Sequence, residues 1–379
     1  MNRRSFLAGT TLSALAAPPA VRVDSDGMLV LNGSRKFALG LYQLPQGASA
    51  WKRAADAGFQ FVHAPLKVEQ LDAARAHGMY TWGTVGSLRT PQDEARIRQL
   101  LAEWKQRPEI LFWETEDEPS FVWNKPREVR VKPEIIHATY KLVKSLDPSR
   151  PLYLNHSPTN LVSTLASYNP GGDLIATDVY PVIPHGIRPQ YALWADGMQG
   201  DLLNTSISQI GPYTDKMRHV AGASRGVWMV LQGFSWEMLR DKDRDPKMVR
   251  YPTQAETRFM AYQAIVHGAT GLLWWGLYRT PPESGLWESI AATARELKSI
   301  AAELAAAPMK ASLTIDYHDT GHSLDRGIEW IAKPSGKGVL LIAVNADKNP
   351  VEATLKLGRW TRKELFEPFG VRQWRVAGG

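Results

Sequence analysis

Four acidic residues crowd the segment that follows a short apolar, strand-like run. Glu114, Glu116, Asp117 and Glu118 fill four of five consecutive positions, and Pro119 comes directly after them. Because neighbouring carboxylates repel one another in a cleft, at least one should have a raised pKa and keep its proton at neutral pH. Cleavage of a glycosidic bond needs such a protonated carboxyl. We predict that Glu118, whose direction Pro119 restrains, is this acid; the alternative is a solvated acidic loop without chemistry.

Eight short apolar runs alternate with segments of helical periodicity over most of the chain. The predicted strands are 37–41, 59–63, 79–84, 110–113, 152–155, 174–177, 227–232 and 271–275. The predicted helices are 51–57, 68–77, 93–105, 134–146 and 254–267, with a longer helix over 284–306 after the last strand. Strands that alternate with helices build parallel βαβ units, and eight units in roughly 250 residues predict a (β/α)8 TIM barrel. The Gly-, Pro- and polar-rich stretch 181–224 has no clear helical pattern.

The segments at the two ends of this barrel have patterns of their own. An alternating stretch after residue 20 turns at Asn32-Gly33, which is typical of a hairpin. We expect the barrel to span residues 18–308. Residues 309–379 alternate without helical signals, which predicts a small, antiparallel, β-sandwich-like C-terminal domain packed on the barrel.

The first 17 residues are typical of a targeting signal rather than of a folded element. Arg3 and Arg4 precede a short apolar run, and Ala14-Leu15-Ala16 is a small-x-small cleavage site. The string resembles a twin-arginine export signal. We therefore expect a periplasmic or secreted protein. The apolar run is too short to span a bilayer, so no membrane contact is expected of the mature form.

Composition and charge narrow the classes of function. The 379 residues include no cysteine, which excludes disulfides, thiolate nucleophiles and cysteine metal sites. The formal net charge is +7, but Lys and Arg are scattered and form no basic stripe, so nucleic acid is not an expected partner. Fourteen Trp residues suit a carbohydrate ligand, because the apolar face of a pyranose stacks on an indole. No cofactor is expected, and the oligomeric state is left open.

The residues that follow each strand of a parallel barrel form its active face. At these positions the chain has acids, amides, imidazoles, phenols and indoles, which suit a neutral polyol with an apolar ring face. A phosphate site would instead need Gly-rich loops with Lys or Arg. We predict Glu118 and Asp178 as the catalytic residues. The predicted substrate contacts are Tyr42, His63, Trp82, Glu116, Asp117, Asn155, His156, Tyr180, Gln232, Trp236, Trp275 and Tyr278.

The acidic segment resembles the fourth-strand motif of clan A glycoside hydrolases, in which a Trp-containing strand ends in Asn-Glu-Pro. Asp117 replaces the Asn in this chain. The segments that carry the resemblance are 113–119, 146–151, 261–275 and 21–42, within about residues 25–300. The resemblance implies a TIM barrel that hydrolyses glycosidic bonds, with Glu118 as acid/base and Trp275 as the platform under the cleaved sugar.

One position departs from that clan. Its members place a nucleophilic Glu at the end of the seventh strand, where this chain has Gln232. An amide cannot form the usual glycosyl-enzyme ester, so four alternatives stay open. Asp178 is the base of an inverting mechanism; Glu237 folds back as a nucleophile; an N-acetyl group of the substrate attacks, oriented by the adjacent Asp117–Glu118 pair; or the barrel binds sugar without cleaving it.

Hydrolysis of O-glycosidic bonds in an oligo- or polysaccharide is the favoured function, and a non-catalytic carbohydrate-binding protein is its rival. A third class, a metal-dependent hydrolase or isomerase, would need His63, His156 and Asp178 to meet around an ion. Their spacing does not require this, and no metal site is predicted. The separation of the carboxyl groups discriminates between mechanisms: about 5–5.5 Å implies retention and about 6.5–9.5 Å leaves room for the water of inversion.

Overall fold

The computed structural model of this chain describes residues 19–122, 128–158, 160–184, 207–307, 309–318, 324 and 326–377. The predicted export signal and residues 185–206 lie outside these ranges. Within the described residues, no helix combines the length and the apolar character needed to cross a membrane.

A three-stranded antiparallel sheet precedes the barrel. Its strands are β1 (Val21–Val23), β2 (Leu29–Leu31) and β3 (Ser34–Lys36). The last two strands form the predicted hairpin, and its turn residues Asn32 and Gly33 have φ angles of 49° and 79°. Two successive positive φ angles match the right-handed twist of the strands, which is why an Asn-Gly pair favours this turn.

Eight parallel strands close into the predicted barrel. The strands are β4 (Ala38–Leu41), β5 (Phe61–His63), β6 (Tyr80–Thr84), β7 (Ile110–Glu114), β8 (Leu152–His156), β9 (Leu174–Asp178), β10 (Gly226–Gln232) and β11 (Gly271–Trp275). Each strand pairs with the next along the chain, and β11 pairs with β4 to close the ring. Strands β7, β8 and β9 each extend one residue beyond the predicted end, which changes where Glu114 and His156 lie.

Large aromatic side chains fill the inside of the barrel. Phe61 stacks on Trp228 and meets Phe112 edge to face, with ring centroids 5.5 Å apart in both pairs. A side chain at Gly40 would collide with the Phe61 ring, so this position has room for hydrogen alone. Val21 of the N-terminal sheet joins the same apolar cluster, so the barrel is a packed core rather than a pore.

Nine helices are found in the described part of the chain. They are α1 (Ala50–Ala57), α2 (Val68–Ala76), α3 (Pro91–Trp104), α4 (Pro133–Leu146), α5 (Val162–Ala166), α6 (Ile210–Ala221), α7 (Gln254–Val266), α8 (Leu286–Ser299) and α9 (Ala301–Ala305). Capping boxes start two of them: Thr90 exchanges hydrogen bonds with Asp93, and Thr253 with Glu256. Each box satisfies amide groups that the first helical turn leaves without partners.

Two helix predictions need correction. The stretch 181–224 contains α6, whose buried face has only a moderate apolar periodicity because it includes Gly211 and Thr214. The single helix predicted over 284–306 is two helices. Ile300 leaves the helical conformation, with φ −120° and ψ 16°, and its amide donates to the carbonyl of Leu297 instead of continuing the ladder.

The C-terminal domain consists of two three-stranded antiparallel sheets, as the alternating pattern predicted. Its strands are β12 (Leu313–Tyr317), β13 (Ile328–Ser335), β14 (Gly338–Asn345), β15 (Val351–Leu357), β16 (Trp360–Phe366) and β17 (Val371–Ala377). The strand orders are β12-β15-β16 and β13-β14-β17. The second sheet packs on the barrel, because its Leu340, Ile342 and Val344 share a buried cluster with the residues of α7.

Candidate active site

A cleft of about 340 Å³ opens where the barrel strands end. This volume lies at the lower end of the range for small-molecule sites, which suits one or two ligand rings. The lining residues are Tyr42, Asp117, Glu118, Phe121, Asn155, Asp178, Tyr180, Val230, Phe234, Trp236, Leu239 and Trp275. Eight of these twelve were predicted as catalytic or substrate-contacting residues. The cleft is therefore where the sequence placed it, at the carboxyl ends of the strands.

Glu118 occupies a strained position just after β7. Its φ angle is 46°, in the left-handed region that residues with a side chain rarely adopt. Its amide donates to the carbonyl of Asn155 at 3.1 Å, and its own carbonyl accepts from the amide of Phe121 at 3.0 Å. Such a conformation costs about 1–3 kcal/mol and is characteristic of functional sites. Both ends of the residue are thus fixed, and the carboxyl has a defined direction.

Arg130 supports the acidic segment from the side. Its guanidinium donates to the carbonyl of Asp117 at 2.7 Å and lies 3.9 Å from a carboxyl oxygen of Glu118. The same group lies over the ring of Phe121, 5.3 Å from its centroid. Arg130 was not predicted, because it follows the motif by twelve residues and nothing in its local sequence marks it as part of the site.

The three acidic groups of the cleft form one connected network. A hydrogen bond joins the carboxyl groups of Glu118 and Asp178. The amide nitrogen of Asn155 donates to Asp117 at 3.0 Å and to Asp178 at 3.3 Å. Since β7, β8 and β9 are adjacent strands, all of these groups lie on one arc of the barrel rim. We call them the acidic floor: Asp117, Glu118, Asn155 and Asp178.

Burial and mutual repulsion keep a proton on the acidic floor. Burial, followed by the negative charges of Asp178 and Asp117, raises the pKa of Glu118 well above its ordinary value. Burial and the charge of Asp117 raise the pKa of Asp178 to about 7. Two carboxyl groups in direct contact titrate as a pair, so the Glu118–Asp178 pair keeps at least one proton near neutral pH. Their hydrogen bond raises the pKa of Glu118 and lowers that of Asp178, so Glu118 is the hydrogen-bond donor of the pair.

Glu114 lies beneath the floor, inside the barrel. Its carboxylate accepts hydrogen bonds from Trp82 at 3.0 Å and from Thr84 at 3.1 Å. Burial and the charge of Asp117 raise the pKa of Glu114 to about 8. It was predicted to follow the fourth strand, but it is the last residue of β7 and is almost fully buried. Glu114 is therefore a neutral support and not a cleft residue.

Aromatic side chains form the opposite side of the cleft. Tyr180 and Trp275 stack with centroids 5.6 Å apart and planes 22° apart. Phe234 meets both rings edge to face, and the indole of Trp236 donates to the carbonyl of Tyr180 at 3.0 Å. We call Tyr180, Phe234, Trp236 and Trp275 the aromatic wall. Its flat apolar surfaces suit the face of a sugar ring.

Gln232, which the sequence resemblance aligns with a nucleophile, is the last residue of β10 and does not line the cleft. Its side-chain oxygen accepts from the amide of Val182 at 2.9 Å. Its nitrogen donates to the carbonyls of Val182 at 2.9 Å and Phe234 at 3.1 Å. The side chain is fully buried and its polar atoms are satisfied, so this predicted contact residue does not line the cleft. Gln232 instead fixes the chain after β9.

The two carboxylates considered as replacements for that nucleophile are also constrained. Glu237 is buried and accepts from the amide of Asp245 at 2.7 Å, so it does not line the cleft. Asp178 does line it, but a hydrogen bond brings its carboxyl far closer to Glu118 than the roughly 6.5–9.5 Å of an inverting pair. The geometry therefore provides neither a displaced nucleophile at Glu237 nor an inverting base at Asp178.

Two further predicted contacts are buried away from the cleft. Trp82 lies inside the barrel, where it stacks on Phe112 with centroids 5.2 Å apart. His156 belongs to β8, and the alternation of side chains sends Asn155 inward and His156 outward against Tyr168. Burial lowers the pKa of His156 to about 3, so its ring is neutral. Neither residue lines the cleft.

Three other predicted contacts lie around the cleft rather than in it. Glu116 accepts from the hydroxyl of Ser87 at 2.5 Å and lies 3.3 Å from Arg89. His63 contacts the hydroxyl of Thr84 at 3.2 Å, and burial lowers its pKa to about 4. Tyr278 is about half exposed and meets Trp275 edge to face. His63 and Tyr278 adjoin cleft residues, whereas Glu116 faces a separate polar group.

The prediction missed the apolar part of the cleft. The cleft is also lined by Phe121, Val230, Phe234 and Leu239, whereas every predicted site residue is polar or is a Tyr or Trp. A signal was present for Phe234, which lies two residues beyond the seventh strand beside a predicted contact. Within the described residues, no group of three or more His, Asp and Glu side chains is arranged to hold a metal ion.

The sequence was compared with known families and with curated proteins. No protein-family model matches it, and no curated protein matches it. The structure does resemble solved structures. A β-glucuronidase from Bacteroides uniformis, covalently bound to a cyclophellitol-6-carboxylate aziridine, is 12% identical with a TM-score of 0.51, over 95% of this chain and 45% of that one.

Two further solved structures resemble the chain more weakly. A β-galacturonidase of glycoside hydrolase family 2 from Eisenbergiella tayi is 15% identical with a TM-score of 0.47, over 74% of this chain and 54% of that one. A β-galactosidase from Marinomonas ef1 is 13% identical with a TM-score of 0.49, over 72% and 62%. The chain thus spans roughly half of each protein's length. At 12% identity the likeness to the β-glucuronidase is one of fold alone, and that fold contains a closed barrel of eight parallel strands.

Proposed function

We propose that this protein hydrolyses O-glycosidic bonds in an oligo- or polysaccharide, with Glu118 as the general acid. The observation that carries the proposal is the carboxyl of Glu118, which is bonded to Asp178 in a cleft that the aromatic wall also lines; burial and the neighbouring carboxyl groups raise its pKa. General-acid catalysis needs a proton donor at a defined position, and a sugar ring needs a flat apolar surface beside it. Both are within one cleft of about 340 Å³.

Asp178 controls where the proton goes. In the free protein, Glu118 donates its hydrogen bond to Asp178. When a glycosidic oxygen replaces Asp178 as acceptor, the proton passes to that oxygen as its bond to the sugar breaks. Glu118 is then a carboxylate and removes a proton from the water that completes hydrolysis. The negative charge of Asp178 restores the high proton affinity of Glu118 for the next cycle.

The remaining polar groups of the cleft suit recognition of sugar hydroxyls. Asn155 and Asp117 lie beside the acid, and the hydroxyl of Tyr42 contacts that of Tyr153 at 2.8 Å. Amide, carboxylate and phenol groups bind hydroxyls that carry no charge. Trp275 and Tyr180 would support the ring face. This division into a polar floor and an aromatic wall favours a neutral sugar over an anionic one.

A carbohydrate-binding protein without activity is the second candidate. It is favoured by Gln232, because the position that carries the nucleophile in clan A enzymes here holds a buried amide bonded to the main chain. Binding needs only the aromatic wall and the hydrogen-bonding groups. The two candidates therefore share the ligand class and differ in turnover.

The test is hydrolysis of a panel of aryl glycosides and oligosaccharides, with the first-formed anomer followed by proton NMR. We expect turnover by the wild type and its loss in Glu118→Gln. Glu116→Gln is the matched control and should keep turnover, because Glu116 belongs to the same acidic segment but its side chain lies outside the cleft. Binding of a sugar by calorimetry without hydrolysis of any member of the panel would select the second candidate and overturn the first.

We also propose that residues 1–17 direct export. Support comes from the paired Arg3 and Arg4, the short apolar run and the small-x-small site at 14–16. A reporter fused to the full chain would show the location. Replacing both arginines with lysine should keep the reporter in the cytoplasm, and continued export of that variant would contradict the proposal.

A further inference from the structure

The carboxyl groups that line the cleft all lie on one arc of the barrel rim. Going around the barrel, the acidic floor comes from the ends of β7, β8 and β9. The next strands, β10 and β11, and the segments after them contribute Val230, Phe234, Trp236, Leu239 and Trp275 to the lining. Among the described residues, no carboxylate lines the cleft on this second arc.

A glycosidase that uses two of its own carboxyl groups places them on opposite sides of the scissile bond. The separation is about 5–5.5 Å when one attacks the sugar and about 6.5–9.5 Å when one activates a water. The Glu118–Asp178 pair is in hydrogen-bond contact, which fits neither spacing. On the second arc, Gln232 is an amide and Glu237 is a buried carboxylate; both accept hydrogen bonds from main-chain amides, and neither lines the cleft.

We propose that the substrate is a 2-acetamido-2-deoxy sugar whose own carbonyl oxygen is the nucleophile. This inference rests on the proposed function. An acetamido group at C2 reaches C1 from the face opposite the leaving group, so the protein needs no carboxylate there. All the protein must supply is an acid for the leaving oxygen and a carboxylate for the amide N–H. Two adjacent carboxyl groups on one arc are suited to these tasks.

The reaction has two steps, in which an oxazolinium ring forms and is then hydrolysed. The acetamido oxygen forms a bond to C1 while the C1–O bond to the leaving group breaks, and the proton of Glu118 passes to the leaving oxygen. Asp178 accepts the hydrogen bond of the amide N–H and stabilises the positive charge of the resulting oxazolinium ring. Water then attacks C1 and gives its proton to Glu118. The C1–O bond to the acetamido group breaks, and the anomeric configuration is retained overall.

Geometry restricts the substrate further. Internal attack requires the acetamido group and the leaving group to be trans across C1 and C2. For gluco- and galacto-configured sugars this is the β-anomer. The substrate class is therefore a β-linked 2-acetamido-2-deoxyhexoside, and a sugar with a plain hydroxyl at C2 lacks the nucleophile.

The experiment compares 4-nitrophenyl β-glycosides that differ only at C2. The 2-acetamido compounds of glucose and galactose are measured beside their 2-hydroxy counterparts and their 2-trifluoroacetamido analogues. We expect hydrolysis of an acetamido compound with retention, and slow or absent hydrolysis of the 2-hydroxy compound. Fluorination weakens the carbonyl nucleophile, so kcat/KM should fall by about tenfold or more, a barrier increase of roughly 1.4 kcal/mol.

Results that contradict this inference differ from results that contradict the proposed function. Equal hydrolysis of the 2-hydroxy compound, inversion, or a rate that does not respond to fluorination would overturn the inference and leave the proposed function standing. No hydrolysis of any glycoside would overturn both. Asp178→Asn gives a second measure: it should reduce kcat on the acetamido compound more than it raises KM, and an unchanged kcat would remove Asp178 from the mechanism.

Discussion

Gln232 and Val182 are joined by two hydrogen bonds of 2.9 Å, one in each direction between the side-chain amide and the main chain. This pairing needs one donor and one acceptor on the same side chain, which a carboxylate does not offer. The amide at position 232 therefore anchors the chain after β9. Asp178 lies four residues before Val182, so the anchor also restrains the floor.

Gln232→Glu should therefore destabilise the protein without creating a nucleophile. The substitution removes the donor to the carbonyls of Val182 and Phe234 and leaves them buried without their partner. Each such group costs about 1–3 kcal/mol. Urea denaturation would show a lower midpoint than the wild type, while Gln232→Met separates the loss of shape from the loss of bonds. A folded Gln232→Glu variant with higher glycosidase activity would contradict this account of the position.

Glu114 should make the free energy of unfolding fall as pH rises. Its folded pKa is about 8, above the ordinary value of 4.5. The folded protein therefore holds a proton that the unfolded chain releases. The stabilisation is complete below pH 4.5 and is lost as the pH rises through 8. Glu114→Gln keeps the shape and removes the titration, so its stability relative to the wild type should increase by about 1.4 kcal/mol per pH unit between these limits.

Parallel pH profiles of the two proteins would count against a neutral Glu114. Denaturation midpoints at pH 5, 7 and 9 are enough to see the difference, since the largest part of it falls between pH 5 and pH 8. The remaining carboxyl groups are present in both proteins and cancel in the comparison.

His267 connects the barrel to the C-terminal domain by ionic contacts. Its ring nitrogens lie 2.8 Å from Asp215 of α6 and 3.0 Å from Glu329 of β13. Burial acts to lower its pKa, but the hydrogen bonds to these carboxylates outweigh burial and raise it to about 9. The contribution to stability is complete below pH 6.5 and is lost as the pH rises through 9.

His267→Gln should abolish that pH dependence and lower stability at neutral pH by about 1–3 kcal/mol, the range for breaking a partly buried charged hydrogen bond. Thermal unfolding at pH 6 and pH 9.5 measures it. His219→Gln, an exposed histidine on α6, is the control and should have no effect. If His267→Gln lowers the melting temperature equally at both pH values, the packing of the His267 ring, and not its charge, stabilises the contact between the domains.

Trp275 should carry much of the ligand affinity. It is the partly exposed end of the aromatic wall and stacks on Tyr180. In a Glu118→Gln background, which blocks turnover, Trp275→Ala should weaken sugar binding by about tenfold, roughly 1.4 kcal/mol. Tyr278→Ala, at the rim, should weaken it less. Equal effects of the two substitutions, measured by calorimetry, would argue that the ring does not rest on Trp275.

The sequence was sufficient to predict the barrel because each strand is short, apolar and followed by a helical period. The carboxyl ends of parallel strands always meet at one rim, so the cleft followed from the strands. The predicted strand limits decided the errors. Strands β7 and β8 each continue one residue past the predicted end, so the alternation of side chains along a strand also applies to Glu114 and His156. It directs Glu114 into the barrel and His156 outward, whereas the prediction left both residues at the rim.

The side-chain contacts between residues of different strands could not be predicted from the sequence. Glu118 and Asp178 are 60 positions apart, and their hydrogen bond depends on the adjacency of β7, β8 and β9 and on the left-handed backbone at Glu118. The hydrogen bond from Arg130 to the carbonyl of Asp117 likewise has no signal in the local sequence. The residue types of the floor were predictable, whereas their contact distance, which decides the mechanism, was not.

The most direct test of the role of Glu118 uses leaving groups that differ in their need for a proton. Glu118→Gln is measured on two glycosides of the same sugar, one with 2,4-dinitrophenol and one with an alkyl or sugar alcohol as the leaving group. A general acid contributes about 10²–10⁴-fold to a poor leaving group. With Glu118 as the general acid, we expect a loss of that size on the alkyl glycoside and a much smaller one on the dinitrophenyl glycoside. Full activity of Glu118→Gln on the alkyl glycoside would contradict it.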